Sequence, residues 1–242
     1  MVGNEAARQQ SRLRVGIVGA GPVGVTFAQA LAGAGHFLAG ITAASVESRE
    51  RVESTLPGLD ILPVDVLLKQ SDLVVLAIPA DQIGVSVEGW AKLNLFRPGQ
   101  IVIHTAAEFG TSVLSAAAAA GAVPIAIHPA MSFSGTSLDQ VRVRDSRFAV
   151  TAPPIAVPIA LALVIEMGAE PTVIAEEDRP KYAEAISVAT TFSGLVVNQA
   201  IGLLADIGLP EAREVLSTLL HSSVDRALAE GYQAIEPEDF RG

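Results

Sequence analysis

The sequence predicts an α/β fold: a doubly wound, mostly parallel sheet followed by a smaller all-helical C-terminal domain. Three observations indicate this. Strand-like and helix-like segments alternate from Leu13 to about Thr151, and the strand-like ones are continuous apolar runs, as in parallel strands covered on both faces. A glycine-rich turn joins the first strand to the first helix. The chain beyond Thr151 has an almost entirely helical pattern.

Each predicted strand is a short apolar run, and each predicted helix repeats apolar residues at spacings of three and four. The strands are Leu13–Val18, Phe37–Ala43, Leu73–Ile78, Gln100–His104, Val123–Ile127, Phe148–Thr151 and a short edge strand at Pro171–Ala175. The helices between them are Pro22–Ala34, Val46–Leu56, Val64–Lys69, Asp81–Leu93 and Thr111–Ala120. This alternation favours right-handed crossovers with helices on both faces of the sheet.

Three further helices are predicted in the second half, at Pro153–Met167, Asp178–Ile207 and Glu211–Glu230. We place the domain boundary between residues 152 and 153, which gives domains 1–152 and 153–242. The middle helix would be roughly 45 Å long if unbroken. Its apolar stripe is broader than one face can cover, which favours a homodimer through the helical domain over packing on the first domain alone.

The first strand ends in a glycine turn with the spacing Gly19-x-Gly21-x-x-Gly24. Between a strand and a helix, this spacing is the fingerprint of a dinucleotide-binding, or Rossmann, domain. Gly19 is expected to make the tight turn, Gly21 to let the backbone approach a pyrophosphate, and Gly24 to let the helix pack closely. Pro22 and Val23 open the helix, whose N-terminus is expected to face the phosphates.

The residues after the second strand favour NADP as cofactor, with NAD left possible. An NAD site usually has an acidic residue at this strand end, to bind the ribose 2′-OH. Here Thr42 and Ser45 offer hydroxyls instead, and Arg49 is placed to reach a 2′-phosphate. The alternative is that Arg49 and Arg51 only solvate the helix surface.

Further candidate residues follow strands whose carboxyl ends share one rim of the sheet. Ile78 and Pro79 are expected to border the nicotinamide ribose, and His104 is predicted as a cofactor contact. His128 is predicted as the proton-transfer group, because histidine exchanges protons near neutral pH. A purely structural role is the alternative for either histidine.

The loop after His128 carries two hydroxyl groups. Ser132 and Ser134 are predicted as substrate contacts, with hydrogen bonding inside a local turn as the alternative. The remaining histidines, His36 and His221, are expected to be solvated.

Composition excludes several functional classes. The net charge of −10 argues against a nucleic-acid partner, which needs clustered Lys and Arg. The sequence has no cysteine and no His/Asp/Glu cluster at ligand spacing, so neither a disulfide nor a metal site is expected. Residues 1–11 are polar and are expected to form a frayed leader rather than a signal peptide. No uninterrupted apolar run reaches the length of a membrane span, so we predict no membrane partner and a cytoplasmic location.

Five segments, in their order along the chain, resemble a bacterial family that combines a Rossmann-like NAD(P)-binding domain with a C-terminal helical domain of unknown function. The segments are Val15–Gly24, Leu73–Pro79, His104–Gly110, His128–Gly135 and Phe148–Thr151. The His-Pro-Ala-Met-Ser-Phe-Ser-Gly run at 128–135 is the most specific of them. The family is similar to the 6-phosphogluconate dehydrogenase-like group, which includes pyrroline-5-carboxylate reductases and deazaflavin-dependent NADP oxidoreductases. The resemblance implies an NAD(P)-dependent oxidoreductase that is dimeric through its helical domain.

The chain departs from that family's pattern at positions expected to face the cofactor. Ala44 stands where the family usually has an arginine, Ala106 where it has a serine, and Ala183 where it has a histidine. Thr190, Thr191 and Phe192 stand on the long helix where the family tends to have Ser-Asn-His, and Thr191 is predicted to take part in catalysis. The family also continues through further helices beyond residue 242.

Three functions are compatible with these features. The first is an NAD(P)-dependent oxidoreductase that transfers a hydride to or from a small carbonyl, imine or hydroxy compound in the interdomain cleft. The second is a nucleotide-binding homodimer without turnover, acting as a sensor, which the departures on the long helix favour. The third is an enzyme that resembles prephenate dehydrogenases.

Overall fold

The computed structural model describes residues 12–231, and its sheet confirms the expected fold class. Seven strands lie in the order β2-β1-β3-β4-β5-β6-β7. They are β1 (Arg14–Val18), β2 (Phe37–Thr42), β3 (Leu73–Leu76), β4 (Ile101–His104), β5 (Val123–Pro129), β6 (Arg147–Thr151) and β7 (Glu170–Val173). The first five strands run parallel, β6 is antiparallel to β5, and β7 is parallel to β6.

The α-helices follow the predicted pattern, with one addition. They are α1 (Pro22–Gly33), α2 (Val46–Thr55), α3 (Val64–Gln70), α4 (Ala80–Lys92), α5 (Ser115–Ala119), α6 (Leu138–Arg144), α7 (Val157–Glu166), α8 (Arg179–Ser187), α9 (Ser193–Asp206) and α10 (Ala212–Glu230). Short 3₁₀ turns occur at Ser112–Leu114 and Glu176–Asp178, and residues Val188–Phe192 are π-helical. Helix α6 was not predicted, because two of its apolar residues, Leu138 and Val141, are exposed and hide the pattern of its one buried face.

Each face of the sheet carries its own apolar core, since consecutive residues of a strand point to opposite sides. On one face Ile17 packs with residues of α1, α6 and α7, and the rings of Phe27 and Phe148 stack at 5.8 Å. On the other face Val18 packs with residues of α3, α4 and α5, among them Ile83. Burial on both faces explains why the strands are continuous apolar runs.

The described chain divides into two compact units, the first ending at Ile186 and the second beginning at Ser187. The boundary expected between residues 152 and 153 therefore lies inside the first unit. Two interactions place residues 153–186 with the sheet: β7 pairs with β6, and α7 buries Ala160 and Val164 in the core.

The second unit exposes most of its apolar side chains. Among residues 187–231, Ala212 is the one buried residue. The exposed large apolar residues there are Val188, Phe192, Leu195, Val196, Leu203, Ile207, Val215, Leu219, Val224 and Leu228. Within the described chain, one helical run, Glu176–Asp206, is long and apolar enough to cross a membrane by length and composition alone.

Candidate functional site

The glycine turn forms between β1 and α1, as the spacing predicts. Gly19 has a φ of +103°, and a Cβ there would overlap the carbonyl oxygen of Ala77. A Cβ at Gly24 would overlap the carbonyl oxygen of Gly19. These two glycines are therefore required by the fold itself, whatever binds at the turn.

Gly21 is different, because nothing lies within 4 Å of the position that its Cβ would occupy. Its backbone is extended (φ −72°, ψ 176°), a conformation open to any residue. The open space lies at the N-terminus of α1. The N–H groups of Val23 and Gly24, in the first turn of this helix, have no acceptor within the helix. The first turn of α1 holds no acidic residue. Space, free N–H groups and the positive end of the helix dipole together fit a cofactor's phosphates.

A cavity of about 350 Å³ lies at the carboxyl end of β2. Its lining residues are Thr42, Ala43, Ala44, Arg49, Ile61, Leu62, Pro63 and Val64. The Thr42 hydroxyl accepts a hydrogen bond of 2.9 Å from the Gly19 N–H, which ties this cavity to the glycine turn. Arg49 is the one charged residue in this lining, which contains no carboxylate.

Ser45, predicted as a cofactor contact, is bound to Ser48 at the start of α2. Its hydroxyl accepts a hydrogen bond from the Ser48 N–H, and the Ser48 hydroxyl accepts one from the Ser45 N–H. This reciprocal pair caps α2, so the Ser45 side chain is held at the helix start.

Ile78 and Pro79 lie beside the glycine turn. The Ile78 side chain would be 3.2 Å from a Cβ on Gly19, and Pro79 directly precedes α4. Both residues therefore border the carboxyl end of β3, and their contact with a nicotinamide ribose stays a prediction.

His104 does not contact the cofactor space, contrary to the expectation from sequence. Its ring is fully buried; Nδ1 accepts a hydrogen bond from the Ala106 N–H (3.2 Å), and Nε2 donates one to the Gly110 carbonyl (2.7 Å). Burial lowers the pKa of His104 to about 4, so the ring is neutral at physiological pH. His104 therefore fixes the loop after β4.

Glu176 holds the other end of the same loop. Its carboxylate accepts hydrogen bonds from the N–H groups of Thr111 (2.6 Å) and Ser112 (3.0 Å) and from the Thr111 hydroxyl (3.1 Å). Burial alone would raise the pKa of this carboxyl, but these hydrogen bonds outweigh burial and lower it. Glu176 thus caps the 3₁₀ turn from a position more than sixty residues along the chain.

His128 is paired with Tyr182 of α8. Its Nδ1 lies 2.8 Å from the Tyr182 phenol oxygen, and the two rings meet edge to face with centroids 5.5 Å apart. Burial, then the positive charge of Arg179, lower the pKa of His128 to about 4. Burial raises the pKa of Tyr182. Both side chains are half-buried and neutral at physiological pH, and together they form a hydrogen-bonded pair at the carboxyl end of β5.

Arg179 lies behind this pair and is completely buried. Its Nε donates to the Thr151 hydroxyl (2.7 Å) and its Nη2 to the carbonyls of Ala126 and Ala149 (3.1 Å each). Among the described residues its Nη1 has no partner. Burial lowers the pKa of Arg179 to about 10, so it remains a cation, 5.8 Å from the centre of the Tyr182 ring.

Ser134 is a turn residue rather than a free hydroxyl. The buried carboxylate of Asp139 accepts hydrogen bonds from its N–H (2.9 Å), its hydroxyl (2.8 Å) and the Gly135 N–H (2.8 Å). Burial would raise the pKa of Asp139, but the hydrogen bonds from Ser134 more than offset burial and lower it. The backbone carbonyl of Ser132 is 3.5 Å from Arg142 Nη1. The Ser132 hydroxyl has no hydrogen-bond partner among the described residues.

One predicted catalytic residue and two histidines remain to be described. Thr191 lies in the π-helical segment of the second unit and is exposed. His36, expected to be solvated, is buried: its Nδ1 accepts from the Leu13 N–H and its Nε2 donates to Glu166 (3.0 Å). His221 is exposed on α10, as expected. Among the described residues, no group of three His, Asp or Glu side chains is placed to hold a metal ion.

Sequence reasoning did not single out Arg51, Asp139, Glu176 and Arg179 as parts of this region. Three of them contact partners 28 to 65 residues away, and Asp139 contacts backbone groups of a turn. Asp139 is only four and five residues from the N–H groups that it binds, but they precede it in the chain, whereas an Asx turn binds backbone that follows the acidic residue.

Comparison with known families agrees with this architecture. Residues 2–129 match the Rossmann-like domain, and residues 146–235 match a domain of unknown function, DUF2520. None of the curated proteins compared with the chain is a match.

Solved structures share the fold at low sequence identity. A 1-pyrroline-5-carboxylate reductase from Streptococcus pyogenes is 18% identical, with a TM-score of 0.68 over 95% of this chain and 83% of that one. A semialdehyde dehydrogenase NAD-binding protein from Cupriavidus necator, in complex with calcium and NAD, is 18% identical, with a TM-score of 0.65 over 95% and 88%. A Plasmodium falciparum pyrroline carboxylate reductase with NADP bound is 12% identical, with a TM-score of 0.61 over 91% and 80%.

Proposed function

The chain belongs to the Rossmann-like domain family, and on that basis we propose that it is an NAD(P)-dependent oxidoreductase. Gly21 is the observation that carries this proposal. The fold requires glycine at positions 19 and 24 but not at 21, where a side chain would only enter the open space at the N-terminus of α1. A glycine that the protein does not need for packing is explained by a ligand that approaches the backbone there.

We propose NADP as the preferred cofactor, with Arg49 as the residue that binds the 2′-phosphate. Arg49 lines the cavity at the end of β2, and the lining contains no carboxylate that would repel a phosphate or bind the 2′-OH of NAD. Thr42 lines the same cavity and holds the glycine turn through the Gly19 N–H.

The bound nicotinamide would supply or accept a hydride. His128 and Tyr182 would transfer the proton that accompanies the hydride. Both are neutral, and each can give and take a proton across their 2.8 Å hydrogen bond. One proton passes from this pair to the substrate atom during reduction, and solvent replaces it. The buried Arg179 stabilises the pair on its inner side, because a cation there opposes a second positive charge on His128.

Small compounds with a C=N or C=O bond are the proposed substrates. Reduction of such a bond needs one hydride and one proton, which is what a nicotinamide and the His128–Tyr182 pair provide. The names of the pyrroline-carboxylate reductases among the similar structures support an imine as the first compound to test, since a pyrroline contains a C=N bond.

We also propose that the second unit forms a homodimer. Ten large apolar side chains of this unit are exposed to water, which is unfavourable. A second copy of the chain that packs against them would remove this apolar surface from water.

Two measurements test the proposal in sequence. Calorimetric titration with NAD, NADH, NADP and NADPH asks whether a nicotinamide nucleotide binds, and binding of none would reject the proposal. Nicotinamide absorbance is then followed with a panel of cyclic imines, keto acids and alcohols. Tight binding with no turnover on the panel would favour the sensor function over the enzyme.

A further inference from the structure

Arg51 reaches from α2 to the glycine turn, although the sequence suggests only a solvated helix face. Its Nη1 donates a hydrogen bond of 2.9 Å to the carbonyl of Ala20, the residue between Gly19 and Gly21. The side chain is half-buried, whereas its neighbour Arg49 is exposed. The one bond to Ala20 leaves most of the five guanidinium donors available beside the turn.

The loop that follows β5 comes to the same place. Gly135 has a φ of +73°, and a Cβ there would lie 3.6 Å from Pro22 Cγ and 3.9 Å from Arg51 Nε. Pro22 is the first residue of α1, so the loop passes over the helix N-terminus, next to the open space at Gly21. Arg51 and the loop are therefore neighbours of each other and of the glycine turn.

Asp139 holds this loop in position from inside the protein. Its carboxylate, 1% exposed, accepts the N–H groups of both Ser134 and Gly135. The hydroxyl of Ser134 is bound to Asp139 as well and also lies 2.8 Å from the Thr136 hydroxyl. The Ser-Gly part of the 128–135 run is thus built to place backbone beside Pro22 rather than to offer a hydroxyl to a substrate.

We propose that Arg51 binds the cofactor's diphosphate and that the loop 132–135, held by Asp139, forms the outer wall of the phosphate site. This inference depends on the proposed nicotinamide cofactor. A diphosphate at Gly21 would bring two negative charges to a protein whose net charge is −10, and a guanidinium beside the turn compensates them. The two arginines then bind different phosphate groups of the cofactor. Arg49 binds the 2′-phosphate of NADP, and Arg51 binds the diphosphate that NAD and NADP share.

Calorimetric titration of NADPH and NADH into the wild type, Arg51→Met and Arg49→Met tests this division. Arg51→Met is expected to weaken both nucleotides by a similar factor, about tenfold or more, the usual cost of a lost charge-assisted hydrogen bond. Arg49→Met, the matched control on the same helix, is expected to weaken NADPH alone. Arg51→Met that binds both nucleotides as tightly as the wild type would overturn the inference and leave the proposed function intact. A wild type that binds neither nucleotide would reject the proposed function itself, and this inference with it.

A second variant tests the loop without breaking the hydrogen bond between Arg51 and the Ala20 carbonyl. Asp139→Asn keeps the size of the side chain but removes its charge, and it is expected to loosen the loop and weaken NADPH and NADH alike. Thermal melting of each variant without nucleotide shows whether the fold is retained. If Asp139→Asn and Arg51→Met both remain folded and both bind the two nucleotides like the wild type, the loop and the arginine have no part in cofactor binding.

Discussion

The Nδ1 atom of His128 lies 2.8 Å from the phenol oxygen of Tyr182, and the buried guanidinium of Arg179 is 5.8 Å from the centre of the same tyrosine ring. The three side chains come from the end of β5 and the start of α8. Their order, with a cation behind and two neutral proton carriers in front, gives the proposed site a direction in which a proton can move.

Tyr182→Phe removes the phenol and leaves the ring in place. We expect kcat for imine reduction to fall by about a hundredfold, in the range of a lost general acid, with little change in the Kd for NADPH. For the wild type, His128 is expected to take up a proton near pH 4 rather than near the ordinary histidine value, so a change in kcat caused by its protonation is expected near pH 4. Steady-state rates across pH measure both. Tyr182→Phe at full wild-type rate would remove the pair from the mechanism.

The low pKa of His104 predicts a loss of stability in mild acid. The unfolded chain takes up a proton on this histidine at its ordinary pKa of 6.5, whereas the folded protein does so only near 4. Stability therefore falls as the pH drops from 6.5 towards 4, by roughly 2 kcal/mol at pH 5 from this residue. Urea unfolding of the wild type and His104→Gln at pH 7 and pH 5 measures the difference. His221→Gln, on the exposed face of α10, is the matched control; an equal pH response in all three would contradict the account.

Glu176→Ala is expected to destabilise the protein because it uncaps the 3₁₀ turn at Ser112. The lost hydrogen bonds to two N–H groups are worth about 1–3 kcal/mol in unfolding free energy. Glu177→Ala, the exposed neighbour, changes the same net charge and is expected to leave stability within about 0.5 kcal/mol of the wild type. Equal effects of the two substitutions in urea titrations would mean that the carboxylate of Glu176 contributes nothing beyond its charge.

The exposed apolar face of the second unit predicts a concentration-dependent dimer. Leu203→Glu places a charge in that face and is expected to convert the dimer to monomer in sedimentation velocity experiments. Leu93→Glu, at an equally exposed leucine of the first unit, is expected to have no effect. A wild type that is monomeric at high concentration would contradict the dimer. Recovery of the protein only with membranes and detergent would also contradict the soluble dimer, and would indicate that the apolar run Glu176–Asp206 contacts a membrane.

The features that could be predicted from the sequence are those determined by residues close together in the chain. The glycine turn, the strand ends and the buried strands are encoded within a few residues of one another, so their positions follow from spacing and apolar content. His128 was predicted as a site residue for the same reason, since it lies near the end of β5 and parallel strands bring their carboxyl ends to one edge of the sheet.

The partners across the chain could not be obtained in this way. His128 and Tyr182 are 54 residues apart, and Arg51 meets Ala20 across 31. The order of the strands and the antiparallel direction of β6 decide which residues come into contact. Neither can be predicted from the residues that are close together in the sequence. The same holds for His104: its place at a strand end suggested a cofactor contact, but the Gly110 carbonyl and the Ala106 N–H occupy both ring nitrogens.

The most direct test of the central claim is the titration of NADPH into Gly21→Ala. A Cβ at this position meets no protein atom within 4 Å, so the variant is expected to melt at the wild-type temperature. Gly24→Ala, by contrast, is expected to be clearly destabilised, because its Cβ overlaps the Gly19 carbonyl. If the cofactor's phosphates lie at Gly21, Gly21→Ala binds NADPH about tenfold or more weakly than the wild type. A folded Gly21→Ala protein that binds NADPH with wild-type affinity would contradict the account.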